Sequence, residues 1–109
     1  MKVHRSAIIL FACCLLCAPA ALFAQTPAIG GLVTNPVFQK NCVKCHGKTA
    51  QGRHFAGPPL VSDKTRAASD DELRTVIANG KGRMPKFADK LTPEQISTLV
   101  EQVRALNQK

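Results

Sequence analysis

The residues with the clearest chemical potential stand together in one short segment, Cys42-Val43-Lys44-Cys45-His46. Two thiols three positions apart can both reach the vinyl groups on one edge of a porphyrin. The histidine beside the second thiol can then offer an imidazole nitrogen to the iron. This C-x-x-C-H pattern is typical of covalent c-type haem attachment. It predicts one haem c with its iron, held by thioethers from Cys42 and Cys45 and by His46 as an axial ligand.

The same residues admit other interpretations. Two nearby cysteines in an exported protein usually form a disulfide. A thioredoxin-like redox pair needs a βαβ setting, of which the sequence gives no sign. A structural zinc site needs four ligands, which Cys42, Cys45, His46 and His54 could supply in number. Adjacent Cys45 and His46 would be an awkward zinc-binding pair, and the histidine directly after the second cysteine favours haem.

A six-coordinate haem needs a second axial ligand, whose identity tunes the potential and the function. After removal of an N-terminal leader, Met84 is the only methionine of the sequence. It lies in the segment 80–85, where two glycines let the backbone pass close to a flat cofactor and Pro85 restricts the loop. We therefore expect Met84 to bind the iron. The alternatives are a methionine that only packs and a sixth ligand from His54, which lies close to His46 in sequence.

The N-terminal segment has the features of a secretory leader. Two basic residues precede an unbroken apolar run over 7–18, and small residues follow. A basic start, a short apolar stretch and a small-residue cleavage site characterise a signal peptide, so residues 1–24 are predicted to be removed. Cleavage is expected after Ala24, with Ala20 as the second choice. The predicted location is the periplasm without stable membrane insertion; an uncleaved leader would instead anchor the chain to the membrane.

The rest of the chain carries helix signals and one long loop. Residues 25–34 show no period and are predicted to form a flexible arm, followed by one domain over 35–109. Asn35-Pro36 predicts a helix over 36–43, because Asn is a good N-cap and Pro suits the first helical position. Residues 47–65 contain glycines and prolines without a period, which predicts a functional loop.

Two further helices have stronger start signals. Ser69 with Glu72, and Thr92 with Gln95, have the spacing of capping boxes. The first of these helices is expected to stop at Gly80, and the second carries an apolar stripe at helical spacing. The sequence has no strand signal of useful length. The predicted fold class is therefore all-α, with about three helices and long loops.

The order of these motifs resembles that of a small bacterial class I c-type cytochrome over essentially all of residues 35–109. The matching segments are C-x-x-C-H, Gly57-Pro58-Pro59-Leu60, Asn79-Gly80 before Met84-Pro85, and the closing helix after Leu91-Thr92-Pro93-Glu94-Gln95. The resemblance implies the cytochrome c fold, in which the first and last helices cross and one covalent haem lies in a crevice. It also implies that the Pro58 carbonyl accepts a hydrogen bond from the ring N–H of His46 and fixes the imidazole.

The chain departs from the family pattern in two ways. By register, Gln102 takes a position where the family often has an aromatic residue packed near Phe38. The crossing of the first and last helices is therefore expected to be looser or to depend on other apolar residues. The sequence also has no Tyr or Trp to hydrogen-bond the haem propionates, and Arg53, His54 and Arg83 are the candidates to replace them.

The predicted function follows from an iron whose two axial positions are both filled by the protein. Such a site has no place for a substrate, so we expect a carrier of single electrons rather than an enzyme. One alternative is a haem subunit or domain partner of a periplasmic oxidoreductase complex. Another is a haem protein with an open site for small ligands.

Charge indicates the kind of partner. The formal net charge is +8, and loss of Lys2 and Arg5 leaves 13 basic and 7 acidic residues, or +6. Cations lie near both predicted axial ligands: Lys44, Lys48, Arg53, Lys81, Arg83 and Lys86. Opposite charge raises encounter rates without a large apolar interface, so redox partners with acidic docking surfaces are expected. We expect a monomer, and no nucleic-acid binding because stacking aromatics are few.

Overall fold

The computed structural model describes residues 31–108. A short 3-10 turn over Leu32–Thr34 precedes five α-helices: α1 (Pro36–Asn41), α2 (Val43–His46), α3 (Asp63–Ala67), α4 (Asp70–Asn79) and α5 (Pro93–Leu106). Strands are absent from this part of the chain, where isolated bridges pair Arg53 with Gly57 and Lys81 with Met84. The predicted all-α class is confirmed. The predicted leader lies outside the described residues.

The two longest helices begin where the sequence signals place them. Capping boxes formed by Ser69 with Glu72 and by Thr92 with Gln95 open α4 and α5. In each box a hydroxyl accepts from a backbone N–H and the later side chain accepts from the N-cap amide. Gly80, at φ +77°, ends α4. Both helix starts and this stop confirm the sequence predictions.

The helix predicted over 36–43 is wrong in its extent. α1 ends at Asn41, and Cys42 separates it from α2 at φ −116° and ψ −33°. The Cys42 carbonyl accepts from the amides of both Cys45 and His46, at 3.1 and 2.9 Å. Helical structure continues through His46 because no Gly or Pro interrupts the chain before that residue. The second cysteine and the histidine of the motif therefore stand on one helical turn.

Two segments that lack a clear sequence signal also contain helix. α3 overlaps the end of the predicted loop over 47–65, and the Ser62 hydroxyl caps it by accepting from the Thr65 amide at 3.2 Å. At the other end of the domain, Leu32 is only 1 % exposed. The prediction of a flexible arm over 25–34 is therefore wrong for the Leu32–Thr34 turn, because burial of that leucine holds the turn on the core. Residues 25–30 lie outside the described residues.

The core is built on α5. Its predicted apolar stripe is buried: Ile96, Leu99, Val100 and Val103. Leu32, Phe38 and Phe87 belong to the same core as this stripe. Each such side chain contributes about 1.5–3 kcal/mol when it is fully buried. In the described part of the chain, no helix is long and apolar enough to span a membrane.

Polar side chains near the end of α5 fasten the loop that follows α2. The Asn107 side chain donates to the Leu60 carbonyl at 2.8 Å and accepts from the Ser62 amide at 3.2 Å. Arg104 donates to Asp70 at 2.6 Å and to the Thr65 carbonyl at 3.0 Å. These contacts join segments far apart in sequence, and they place the loop beside the C-terminal helix.

Candidate haem-binding site

His46 is buried at the end of α2, with 8 % of its surface exposed. Its Nδ1 lies 2.9 Å from the carbonyl oxygen of Pro58. Because a carbonyl oxygen can only accept, Nδ1 must carry the proton and donate it. The second ring nitrogen, Nε2, then keeps its lone pair in the neutral imidazole, the form that binds metals. This contact has the geometry that the family resemblance implies.

Backbone hydrogen bonds hold the Pro58 carbonyl in place. The Gly52 amide donates to the His46 carbonyl at 2.8 Å, so the loop returns to the end of α2. The Leu60 amide donates to the Ala50 carbonyl at 2.9 Å, which closes the loop around Pro58. The acceptor for His46 is therefore part of a fastened backbone and not a side chain with rotamer freedom. Such a partner fixes both the orientation and the tautomer of the imidazole.

Cys42 and Cys45 are half-buried free thiols. Burial, and to a lesser extent the neighbouring Cys45, raises the pKa of Cys42 to about 11. Across residues 31–108, no group of three or more His, Cys, Asp or Glu side chains converges as a metal site. The geometry supports neither the disulfide nor the zinc interpretation.

Met84 is half-buried and packs against the core. Its amide donates to the Lys81 carbonyl at 3.0 Å, and the Lys81 amide donates back to the Met84 carbonyl at 3.1 Å. The Phe87 amide then donates to the Ile77 carbonyl at 3.1 Å, which returns the chain to the end of α4. This closed turn holds the thioether side chain on a fixed stretch of backbone.

The polar side chains considered for the propionates have other partners. Arg53 donates to the Lys44 carbonyl at 2.8 Å, and Arg83 donates to the Phe55 carbonyl at 2.8 Å. Exposed His54 packs edge-on against Phe55, with ring centroids 3.9 Å apart. The Arg83 bond joins the Met84 turn to the loop that carries Pro58. No local sequence pattern predicts this link, and a propionate role for these residues stays a prediction.

The donor set fits haem c. It comprises two free thiols on adjoining helical turns, an imidazole with one free nitrogen and a thioether on a closed turn. Half-buried apolar side chains pack against the same core as Cys42 and Met84: Val43, Leu60, Leu73 and Ile77. A porphyrin plate is largely apolar, so surroundings of this kind suit it.

Comparisons with known proteins agree with this chemistry. A family model described as cytochrome C oxidase, cbb3-type, subunit III matches residues 34–101. The cbb3-type oxidase subunit FixP of Bradyrhizobium sp. (strain ORS 278) is 36% identical over 73 residues, which cover 64% of this chain and 25% of FixP. Cytochrome c6 of Gloeothece citriformis (strain PCC 7424) is 35% identical over 82 residues, which cover 72% of this chain and 74% of that protein.

A solved structure has the same fold. Cytochrome c6C from Synechococcus sp. PCC 7002 aligns with a TM-score of 0.56 and 25% sequence identity, over 66% of this chain and 90% of that one. The chain thus spans about a quarter of the length of FixP and about three quarters of the length of cytochrome c6. It belongs to the c-type cytochrome family described by the cbb3-type oxidase subunit III model, with the all-α cytochrome c fold and covalently bound haem c as its cofactor.

Proposed function

We propose that the chain is a periplasmic electron carrier and not an enzyme, with Cys42 and Cys45 as thioether attachments and His46 and Met84 as axial ligands. The contact between His46 Nδ1 and the Pro58 carbonyl, at 2.9 Å, carries the proposal because it leaves Nε2 free for a metal. Haem c supplies an iron that gains or loses one electron. The protein's part is to fill both axial positions and hold them still.

A fixed ligand pair suits electron transfer better than catalysis. The imidazole is held by a backbone acceptor, and the thioether stands on a closed turn. With both positions occupied, substrates and small ligands have no free coordination site. The exchange of an electron needs only approach to the haem edge, so no side chain has to move a proton.

The ligand assignment is tested with Met84→Leu, which keeps the volume but removes the sulfur donor. The holoprotein should lose the weak far-red sulfur-to-iron band of the ferric form, and its reduced form should begin to bind carbon monoxide. His54→Gln is the matched control, because His54 is the rival ligand and is exposed. If His54→Gln changes the spectrum and Met84→Leu leaves it intact, Met84 is not the sixth ligand.

The distribution of ion pairs supports an acidic partner. In the described residues, four cations are paired with carboxylates: Arg66 with Asp63, Arg74 with Asp71, Lys86 with Asp89, and Arg104 with Asp70. In the same range, no ion pair involves the other cations near the predicted ligands: Lys44, Lys48, Arg53, Lys81 and Arg83. Positive charge near the site is therefore available to steer a negatively charged partner.

Ferricyanide, a small anionic oxidant, tests this local charge without the physiological partner. Oxidation of the reduced holoprotein should slow as ionic strength rises, because salt screens the attraction. Lys44→Glu should slow the reaction several-fold at low salt, whereas Lys64→Glu makes the same change in net charge on α3 and should have little effect. Equal effects of the two substitutions would mean that the oxidation rate depends on the net charge of the protein and not on the charge near the site.

A second candidate is a haem subunit of a larger oxidoreductase, favoured by the match to the cbb3-type oxidase subunit. The two candidates differ in where the haem is found after cell fractionation. A free carrier should be recovered in the periplasmic fraction, with the mass of a monomer. A subunit should instead comigrate with oxidase activity in solubilised membranes.

A further inference from the structure

Phe55 stands out among the apolar side chains. It is 83 % exposed, and it is the one large hydrophobic side chain that is exposed across residues 31–108. Phe38 and Phe87, by comparison, are 1 % and 6 % exposed. Phe55 also has a φ of +63°, a conformation that is unfavourable for a bulky residue. The fold thus leaves most of this ring exposed to water, with only the exposed His54 ring packed edge-on against it, on a strained backbone.

The turn that carries Phe55 is fastened on both sides. The amide of Arg53 donates to the Gly57 carbonyl at 3.0 Å, which closes the turn. The Arg53 guanidinium donates to the Lys44 carbonyl at 2.8 Å, within the C-x-x-C-H segment. The Phe55 carbonyl itself accepts from Arg83 at 2.8 Å, beside Met84. The ring therefore projects from a turn fixed between the two segments that bear the proposed axial ligands.

The surroundings of the ring are basic. Arg53 and Arg83 hold the turn through their guanidinium groups, and Lys44 lies on the segment to which Arg53 binds. None of the three cations forms an ion pair in the described part of the chain. An apolar ring on a turn that such cations hold complements a protein face that has carboxylates around an apolar recess.

We propose that Phe55 is the apolar contact of the docking surface for an acidic redox partner, a role that rests on the proposed electron-carrier function. Long-range charge brings the partner to the right side of the molecule, but screening by salt weakens that attraction. One rigid aromatic side chain adds a short-range contact at low entropic cost. A single ring, unlike a broad apolar interface, still allows the complex to separate after electron transfer.

The test uses the holoprotein on gold electrodes with two defined surfaces. One monolayer ends in carboxylates alone, and the other mixes carboxylate and methyl ends to imitate an acidic face with apolar recesses. The wild type should bind the mixed surface more tightly than the purely acidic one. Phe55→Asn should lose this preference, with roughly tenfold weaker binding to the mixed surface. Asn tolerates positive φ, so the turn is expected to keep its shape, and Phe55→Leu should retain part of the preference.

The outcomes separate the docking role from the proposed function. If Phe55→Asn binds both surfaces as the wild type does, the docking role is overturned. It is also overturned if Phe55→Asn shifts the reduction potential or the far-red band in solution, because the ring would then cover the protein's own haem. If neither the wild type nor any variant gives a reversible one-electron wave on the acidic surface, the electron-carrier function itself fails.

Discussion

Asn35 and Gln102 join the first and last helices through a side-chain hydrogen bond, in which Asn35 Nδ2 donates to Gln102 Oε1 at 2.8 Å. Asn35 also caps α1, since its Oδ1 accepts from the Val37 amide at 2.8 Å. By register, Gln102 takes the position where the family often has an aromatic residue. A hydrogen bond between two side-chain amides thus joins the helices at this position. Phe38 and Val103 are both buried in the core.

A double-mutant cycle measures this contact. Asn35→Ser keeps an N-capping oxygen but loses the amide donor, and Gln102→Leu removes the acceptor. Each change should lower the free energy of unfolding by about 1 kcal/mol, because one partner of a half-buried hydrogen bond is left alone. The double variant should lose clearly less than the two single changes together. Denaturant unfolding of the holoprotein provides the values, and strictly additive losses would show that the two amides do not stabilise each other.

Local signals explain what the sequence could predict. The capping boxes at Ser69 and Thr92 are complete within four residues, so a single segment contains all the information. The same holds for the C-x-x-C-H motif and for the stop at Gly80. The contact between His46 and Pro58 spans twelve residues, and the family resemblance, not spacing alone, implied it.

Contacts between distant segments could not be predicted. Asn107, Arg104 and Gln102 look like ordinary polar residues at the end of an amphipathic helix. Their roles depend on which loop the fold places beside that helix, and nothing in the sequence near them indicates it. Helix α3 was missed for a related reason: five residues are too few to show a period, and only the cap at Ser62 marks its start.

Gly80 and Gly82 form a matched pair around the Met84 turn. At Gly80, φ is +77° and an added Cβ would lie 2.5 Å from the Met84 carbonyl oxygen, whereas at Gly82 nothing lies within 4 Å. Gly80→Ala should destabilise the holoprotein by about 3 kcal/mol or more, through strain and the clash with the ligand turn. Gly82→Ala should lose only about 1–2 kcal/mol, because a residue other than Gly in the left-handed region is strained but not blocked.

Thermal unfolding and the far-red band together check this pair. Gly80→Ala should weaken the band, since the Met84 backbone has to move. Gly82→Ala should leave the band unchanged. Equal losses of stability and of band intensity in both variants would contradict the close approach at Gly80.

Glu72 makes the stability of α4 dependent on pH. Hydrogen bonds with Ser69, backbone first and side chain second, lower the pKa of Glu72 from its ordinary value of 4.5. The ionised form is thus favoured by folding. Its contribution is fully present above the unfolded pKa and is lost as pH falls through the lower folded pKa.

Glu72→Gln should therefore reduce the loss of stability between neutral and acid pH. Gln can still accept from the Ser69 amide, so the capping box is retained without a titrating group. Glu101→Gln is the control, because Glu101 is exposed and forms no ion pair within residues 31–108. Unfolding midpoints measured from pH 7 down to acid should converge for the wild type and Glu72→Gln. Parallel curves would show that Glu72 is not linked to folding.

Folding of the chain should depend on haem attachment. The described core is thin, and several apolar side chains packed against it, such as Val43 and Ile77, are only partly buried. Porphyrin burial at about 25 cal/mol per Å2 adds a large apolar term to such a core. Cys42→Ala with Cys45→Ala should therefore give a largely unfolded chain by far-UV circular dichroism. A native helical spectrum would mean that the polypeptide core is sufficient.

Arg83 links the two proposed ligand segments without touching either ligand through its side chain. Arg83 is next to Met84 in sequence. Its guanidinium donates to the carbonyl of Phe55, 28 residues away, at 2.8 Å. The bond should restrain the Met84 turn from swinging away. Arg83→Gln should therefore raise the affinity of the ferric holoprotein for added imidazole by roughly threefold, the effect of one exposed hydrogen bond.

Arg53→Gln is the matched control for this restraint. Arg53 is also an exposed arginine that donates to a backbone carbonyl at 2.8 Å, but its partner is Lys44, and the bond does not reach the Met84 turn. Arg53→Gln should therefore leave the imidazole affinity unchanged. Arg83→Lys separates charge from geometry: it keeps the cation but loses the planar fork, so it should rescue the affinity only in part. If Arg83→Gln and Arg53→Gln bind imidazole equally, loss of a nearby positive charge explains the change, and the link across the two segments does not restrain Met84.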